Sequence, residues 1–184
     1  IITKIIFRLL PSPEARKPML AIFDSIDGAA KSVSAIIGAK IIPTTLEFMD
    51  HATLQCVERR FSLGLPEEGR AVLLIEVDGD RDLIEKQAGR IHGIIQPFGL
   101  VQFRSASDKA ESEQLWKVRR LVSPSLRDVN PDKYNEDIVV PRSKVPDVIR
   151  RIEGISARYG MPIVNFGHAG DGNIHVNIMV DKRQ

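Results

Sequence analysis

The sequence predicts an α+β fold in which a mixed or antiparallel sheet is covered by helices on one face. Strand-like and helix-like segments alternate along the chain, which predicts layered packing of helices on a sheet. The predicted strands at 41–49 and 134–140 mix polar with apolar residues, whereas strands of purely parallel sheets read as continuous apolar runs. With 184 residues and 43% apolar content, the whole chain, 1–184, is expected to form a single domain.

Four strands and three helices are predicted in the first half of the chain. Runs of β-branched and apolar residues predict the strands at 2–10, 41–49, 70–77 and 100–103. Two prolines follow the first of these strands, and we expect them to end it because central strands do not tolerate proline. Apolar residues at helical spacing predict the helices, which begin at Ser25 or Asp27, at Asp50 and at Asp80, and end near Gly38, Gly64 and Gly99.

The second half is predicted to contain two helices, a strand and a terminal hairpin. In order, these are a helix from Ser107 or Asp108 until Pro124 interferes with it, a strand at 134–140, a helix capped by Ser143 and closed by Gly160, and the hairpin from Met161 onward. The alternation suits two ferredoxin-like, βαβ-type units, with a linker around 104–110 between the halves.

The hairpin concentrates the polar chemistry of the chain. Apolar arms flank the segment 169–172, whose Asp-Gly pair supplies the positive φ of a tight turn. Because side chains alternate along a strand, Asn173, His175 and Asn177 are expected to share one face, and His168 just before the turn can lie beside His175. Two imidazoles can clamp one divalent metal ion, but they leave its ligand shell incomplete, and strand histidines are also common at hydrogen-bonded surfaces. The other histidines, His51 and His92, lie on predicted helices and are poorer candidates.

Two further clusters carry candidate site residues. Arg119 and Ser123 are four residues apart and hence on one helical face, where a guanidinium and a hydroxyl can grip a carboxylate; a solvated helix face is the alternative. In the segment 134–137, the carboxylates of Glu136 and Asp137 either orient a metal-bound histidine or cap and solvate the start of a strand.

Composition and missing motifs exclude several classes of function. A net charge of +2 from 26 basic and 24 acidic residues, well interleaved, does not predict nucleic-acid binding. The single cysteine, Cys56, excludes a disulfide framework and fits a reducing compartment. No run of residues reaches the length of a membrane span or has the order of a signal peptide. The P-loop, the dinucleotide fingerprint, paired-cysteine zinc sites and the Gly-x-Ser-x-Gly elbow are all missing.

The hairpin resembles a known family signature. The segment from Gly167 to Asn177 is similar to the Gly-His-x-Gly-Asp-Gly-Asn-x-His signature of the FAD-linked oxidase C-terminal domain, found in the glycolate oxidase flavoprotein subunit, D-lactate dehydrogenase and D-2-hydroxyglutarate dehydrogenase. Supporting similarities lie in the expected order at 46–50, 115–124 and 136–141. The resemblance covers nearly the whole chain.

The resemblance implies a substrate domain that closes over FAD held by a separate N-terminal domain, which this chain does not contain. It implies that His168 and His175 ligate a divalent metal, commonly zinc, and that Arg119, Ser123 and Asn177 bind a 2-hydroxy acid, with Asn173 toward the FAD. Hydride transfer to the flavin would then give the 2-oxo acid.

Two departures from the family pattern shape these expectations. A downstream Glu-His-Gly motif, which would supply a further metal ligand and the catalytic base, is missing, so we expect a C-terminally incomplete domain that is inactive alone. Asn135 stands where relatives that use dicarboxylates carry lysine, which favours glycolate or lactate. The expected partners are the N-terminal FAD-binding domain, other oxidase subunits or an electron acceptor, and the expected location is the cytoplasm, peripheral to the inner membrane face if partners hold it there. A stand-alone metal-binding, regulatory or dimerisation module is the alternative from another class.

Overall fold

In the part of the chain that the structure describes, seven antiparallel strands form one sheet, in the order β4-β1-β3-β2-β6-β7-β5. The computed structural model describes residues 1–9 and 11–183. The strands are β1 (Ala15–Phe23), β2 (Thr45–Asp50), β3 (Ala71–Gly79), β4 (Leu100–Ser105), β5 (Asp132–Val139), β6 (Ile163–His168) and β7 (Asn173–Val180). The α-helices are α1 (Ile26–Gly38), α2 (His51–Phe61), α3 (Arg81–Ile95), α4 (Lys109–Arg120), α5 (Val122–Leu126) and α6 (Val145–Tyr159).

The sheet divides into two similar units. In the first, the strands stand in the order β4-β1-β3-β2, which is the ferredoxin-like arrangement with α2 as an extra helix between β2 and β3. In the second, β5, α6, β6 and β7 give the order β5-β7-β6, which follows the same pattern with three strands. Antiparallel pairing of β2 with β6 joins the units. The predicted α+β class, the duplicated units and the antiparallel sheet are therefore confirmed.

Helices cover both faces of the sheet, so the prediction of helices on one face was wrong. One apolar core lies under α1, α3 and α6, and the second lies under α2, α4 and α5. The central strands explain the difference, because β1 is buried from Pro18 through Phe23 and β3 from Ala71 through Val77, with no exposed alternate residue. Side chains on both faces of these strands must leave water, and a second helical layer provides the cover.

The first predicted strand was also wrong. Residues 1–9 form no strand, and their large apolar side chains are exposed; Leu10 lies outside the described residues. Their sequence pattern suits a strand, but a strand needs a neighbouring backbone to complete its hydrogen bonds. The strand β1, which was not predicted, begins at Ala15 and contains Pro18. Pairing of β1 with β4 begins only at Met19, so the missing N–H of Pro18 costs no bond of that ladder.

Helix starts were predicted well where an aspartate or serine side chain caps the backbone. Ser25, Asp50, Asp80 and Asp108 each accept a hydrogen bond from a backbone N–H in the first turn of α1, α2, α3 and α4. The predicted cap at Ser143 was wrong, because this residue lies in a 3₁₀ turn (Arg142–Lys144) and α6 begins after Lys144 without a side-chain cap.

Two connections differ from the prediction: the linker between the halves is shorter, and the helix break lies earlier in the chain. The linker proposed at 104–110 shrinks to 106–108, since β4 includes Ser105 and α4 begins at Lys109. The helix break falls at Leu121 and not at Pro124, which occupies the first turn of α5, where its missing N–H has no partner to lose.

Within the described ranges, no helix has the length and apolar character needed to cross a membrane.

Candidate functional site

The polar face of the β6–β7 hairpin meets side chains from its two flanking strands. In the strand ladder, His168 stands opposite Glu47 of β2, and His175 stands opposite Phe166 of β6 and Asp137 of β5. Directly paired residues project from the same face of a sheet. These side chains therefore form one cluster on the face that α4 and α5 also cover.

The turn of the hairpin forms as its sequence predicts. Gly172 has φ of +81°, and its N–H donates to the carbonyl of His168. A Cβ at this position would stand 2.0 Å from the carbonyl oxygen of Val140, so the site accepts only glycine without rearrangement. This close approach brings the hairpin turn against the end of β5.

The two imidazoles lie edge to face, with ring centroids 5.3 Å apart and planes at 83°. Nδ1 of His168 contacts Oε1 of Glu47, and Nδ1 of His175 lies 2.5 Å from Oδ1 of Asp137. An ionised carboxylate only accepts hydrogen bonds, so in the neutral form of each imidazole Nδ1 carries the proton and Nε2 keeps a lone pair. In this arrangement both rings are ready to bind a metal or accept a proton through Nε2.

Arg119 reaches the same cluster from α4. Its Nε donates to Oε2 of Glu47 at 2.7 Å, and its guanidinium carbon lies 4.7 Å above the ring of Phe166. The side chains of Arg119 and Glu47 are only 20% and 10% exposed. Within the described residues, the two Nη groups of Arg119 donate no hydrogen bond, so they remain available for an anion.

Ser123 is not brought into this cluster by any hydrogen bond among the described residues. It lies on α5, beyond the break at Leu121, and is exposed, whereas Arg119 lies on α4 and faces the sheet. The spacing of four residues would place them on one face only if the helix were continuous. The proposed grip of both side chains on one carboxylate stays a prediction.

The two predicted asparagines differ in their hydrogen bonding. Asn177 is fully buried, and its amide donates to the carbonyls of Val164 and His175, each at 3.2 Å. Its Oδ1 accepts from Nζ of Lys133 at 3.1 Å. Asn173 begins β7, and its Oδ1 is buried without a hydrogen-bond partner among the described residues. A buried acceptor without a hydrogen-bond partner is consistent with a contact to a bound group. Asn173 was predicted to contact FAD, and that contact stays a prediction.

The donor set fits half of a metal site. His168 and His175 offer two nitrogen ligands, but the described residues contain no group of three or more histidine, cysteine, aspartate or glutamate side chains arranged to hold a metal ion. Glu47 and Asp137 are already bound to the Nδ1 atoms, on the far side of each ring from Nε2. A complete site would therefore need ligands from outside the described residues.

A buried aspartate supports the strands beneath the cluster. Asp50 accepts hydrogen bonds from the N–H and hydroxyl of Thr53 and from the N–H and side-chain amide of Asn165, so it ties α2 and β2 to β6. Its burial raises the pKa of the carboxyl group above its ordinary value, an effect that these hydrogen bonds oppose. On the next turn of α2, burial also raises the pKa of the Cys56 thiol, to about 11.

Three residues of the cluster were not singled out from sequence. Glu47 is a lone charge inside an apolar strand, which is a signal of a buried, paired carboxylate, although nothing in the sequence names its partners. Phe166 and Lys133 carry no comparable signal. For Asp137, the structure shows the contact with a histidine, one of the two alternatives, while the metal on that histidine stays a prediction.

Comparisons with known proteins agree with the fold. Residues 12–184 match the family model described as FAD linked oxidases, C-terminal domain. The chain is 41% identical over 183 residues to the glycolate oxidase subunit GlcD of Bacillus subtilis, covering 100% of this chain and 39% of that protein. It is 34% identical to GlcD of Escherichia coli, covering 99% of this chain and 36% of the relative. It is 29% identical to the D-lactate dehydrogenase of Archaeoglobus fulgidus, covering 98% of this chain and 39% of the relative.

Solved structures show the same fold at low sequence identity. p-Cresol methylhydroxylase aligns with a TM-score of 0.72 at 12% identity, covering 97% of this chain and 41% of that one. An alkyldihydroxyacetonephosphate synthase aligns with a TM-score of 0.66 at 13% identity, covering 93% of this chain and 38% of that one. This chain thus belongs to the FAD linked oxidase C-terminal domain family, and it spans about two fifths of the length of the curated relatives it matches.

Proposed function

We propose that this member of the FAD linked oxidase family is the substrate- and metal-binding domain of an FAD-dependent 2-hydroxy acid oxidoreductase. The reaction is oxidation of glycolate or D-lactate to the 2-oxo acid, with the hydride passing to the flavin. The observation that carries the proposal is the cluster itself, in which Arg119, with both Nη groups free of hydrogen bonds among the described residues, shares Glu47 with His168, one of two oriented imidazoles. The names of the relatives, glycolate oxidase subunit and D-lactate dehydrogenase, support the choice of substrate class.

Arg119 binds the substrate carboxylate in this proposal. Its Nε is held by Glu47 and its face by Phe166, so the guanidinium has little freedom to turn. The Nη groups then present two N–H donors in the plane that a carboxylate matches. Ser123 and Asn177 are proposed as further substrate contacts, in keeping with the family resemblance.

His168 and His175 would hold a divalent metal, with zinc the first choice for nitrogen ligands of this kind. Such a metal supplies Lewis acidity that polarises the 2-hydroxyl group. The residues of this chain contribute the orientation of both rings, through Glu47 and Asp137.

The remaining parts of the site are proposed to lie outside the described residues. They are the FAD-binding domain, the catalytic base and the further metal ligands. The chain covers only 39% of its Bacillus relative, which leaves room for such parts. The exposed apolar segment 1–9 lies before the region that the family model matches, and we propose that it packs against the flavin-binding part of the protein. The isolated chain should then be inactive.

A small monocarboxylate suits the cluster better than a dicarboxylate. Asn135 stands opposite Asn177 and carries no charge that could hold a second carboxylate. Lys133, two residues earlier on the same face of β5, is engaged with Asn177. The proposal is therefore glycolate or D-lactate, and the electron acceptor that follows the flavin belongs to the other parts of the assembly.

The experiment uses the complete, FAD-loaded protein mixed anaerobically with glycolate, D-lactate, L-lactate and D-2-hydroxyglutarate. We expect glycolate or D-lactate to bleach the flavin absorbance and to yield the matching 2-oxo acid. If no 2-hydroxy acid reduced the flavin, the assignment would be wrong. If the polypeptide that contains this chain bound no FAD at all, the alternative of a binding or regulatory module would take its place.

A further inference from the structure

One buried carboxylate joins the imidazole of His168 to the guanidinium of Arg119. Oε1 of Glu47 contacts Nδ1 of His168, while Oε2 accepts from Nε of Arg119 at 2.7 Å. The Glu47 side chain is 10% exposed, so water contributes little to either contact. The two partners are 72 and 121 residues away along the chain, in α4 and β6.

We propose that Glu47 is a positioning residue that sets the tautomer of His168 and the orientation of Arg119 together. By accepting from Nδ1, it keeps the proton on that nitrogen and leaves the lone pair on Nε2. By accepting from Nε, it fixes the orientation of the guanidinium and leaves both Nη groups of Arg119 to bind an anion. One side chain thus links the imidazole that binds a metal or a proton to the cation that binds the substrate.

A carboxylate is the one side-chain group that performs both tasks. Both partners approach Glu47 with N–H groups, and each carboxylate oxygen accepts one of them. Glutamine offers one accepting oxygen and one donating nitrogen. Because Arg119 does not lose its proton, the amide oxygen of a glutamine must face Arg119 and its NH₂ must face His168. Nδ1 then becomes an acceptor, and the proton moves to Nε2.

Stability alone does not account for this charge in the core. Replacing a buried ion pair with apolar residues of similar volume is often neutral or stabilising. Glu47 lies between Leu46 and Phe48, both buried, in a strand that packs well with apolar side chains. The contacts of its two oxygens give the charge a role in orientation.

A neighbouring glutamate provides a matched control. Glu76 lies on β3, is 4% exposed and accepts a hydrogen bond from Nε1 of Trp116 at 2.8 Å, so it also lies beneath α4. It makes no hydrogen bond to a histidine among the described residues. Glu47→Gln and Glu76→Gln therefore remove similar buried charges under the same helix, and only the first touches His168.

The test reads the tautomer directly in the complete, metal-free protein by ¹⁵N NMR of labelled histidine, with His168→Asn to assign the resonance. In the unmodified protein we expect His168 to carry its proton on Nδ1. Glu47→Gln is expected to move that proton to Nε2, and Glu76→Gln is expected to leave it on Nδ1. Zinc affinity should fall about 10–100-fold in Glu47→Gln, the usual effect of losing a partner of a metal-binding histidine, and should stay within about 2-fold in Glu76→Gln.

Two results would overturn the inference. One is a His168 proton on Nε2 in the unmodified protein, which can be measured whether or not a variant folds. The other is a folded Glu47→Gln protein with an unchanged tautomer. Two expected effects of Glu47→Gln rest on the proposed function: the lower zinc affinity and a higher half-saturating concentration of 2-hydroxy acid. The tautomer of His168 does not. If the flavin were reduced but His168 carried its proton on Nε2, only the role of Glu47 would be rejected. If His168 carried its proton on Nδ1 but the flavin were not reduced, only the proposed reaction would be rejected.

Discussion

Glu47 and His168 face each other across the β2–β6 pairing, the ladder that joins the two ferredoxin-like units. The candidate site therefore lies where the two units meet. The first unit supplies Glu47, the connecting helix α4 supplies Arg119, and the second unit supplies both imidazoles and Asp137. Neither unit alone has a cation, a carboxylate and two histidines in contact, so the duplicated fold is what assembles the site.

The metal proposal predicts the effect of removing both imidazoles. His168→Ala combined with His175→Ala in the complete protein should abolish bound metal and lower turnover by orders of magnitude, because a Lewis acid and its ligands are lost together. Elemental analysis of the purified variant measures the metal content. His92→Ala serves as control, because His92 stacks on Phe103 in the first unit, away from the hairpin. Metal content equal to that of the unmodified protein would show that these histidines do not bind the metal.

Asp137 should tolerate replacement of its carboxylate by an amide, whereas Glu47 should not. Asp137 is 58% exposed and, among the described residues, bonds only to His175, so in Asp137→Asn the new amide can turn its oxygen toward Nδ1 and preserve the tautomer. We expect Asp137→Asn to weaken zinc binding less than Glu47→Gln does, and to leave the His175 proton on Nδ1. The same ¹⁵N spectra measure both variants. A larger loss in Asp137→Asn would contradict the difference that we assign to the second partner of Glu47, Arg119.

Asp50 should matter for stability far more than an exposed helix cap. Its replacement by alanine leaves the backbone N–H groups of Thr53 and Asn165 and the side-chain amide of Asn165 without their acceptor, and each buried unsatisfied donor costs roughly 1–3 kcal/mol. Asp108→Ala removes an exposed cap with one backbone bond, for which about 1 kcal/mol is typical. Urea unfolding of the two variants should give clearly different losses in the free energy of unfolding. Equal losses would show that the buried network contributes no more than a cap.

Cys56 predicts how labelling and stability depend on pH. Burial raises the pKa of its thiol from 9.0 to about 11, so the rate of iodoacetamide labelling in the folded protein should keep rising until about pH 11, whereas in urea it should level off near pH 9. Between these two values the folded thiol retains a proton that the unfolded thiol has lost. The contribution of this group to stability therefore falls as the pH rises from about 9 to 11. A folded-state labelling profile that levels off near pH 9 would contradict the burial effect.

The sequence predicted what depends on local chemistry and missed what depends on distant partners. The caps at Asp50, Asp80 and Asp108 and the turn at Gly172 were predictable, because the groups that they satisfy lie within four residues. The strand predicted at 2–10 does not form in residues 2–9, and the strand at 15–23 was not predicted, because an apolar pattern does not reveal whether a neighbouring strand is present to pair with it. The pairing of Glu47 with His168 spans 121 residues, and only the strand order brings these residues together.

In the proposed function, Arg119 binds the carboxylate of the 2-hydroxy acid that reduces the flavin. Anaerobic titration of the flavin in Arg119→Met and Arg120→Met measures this contact. Arg120 is the matched control, since it is exposed and pairs with Glu113 at 2.9 Å. A lost hydrogen bond to a charged group is worth about 1.5–3 kcal/mol, so the glycolate or D-lactate concentration that half-saturates reduction should rise about 10–100-fold in Arg119→Met. It should stay unchanged in Arg120→Met. Equal half-saturating concentrations in Arg119→Met and in the unmodified protein would contradict the account.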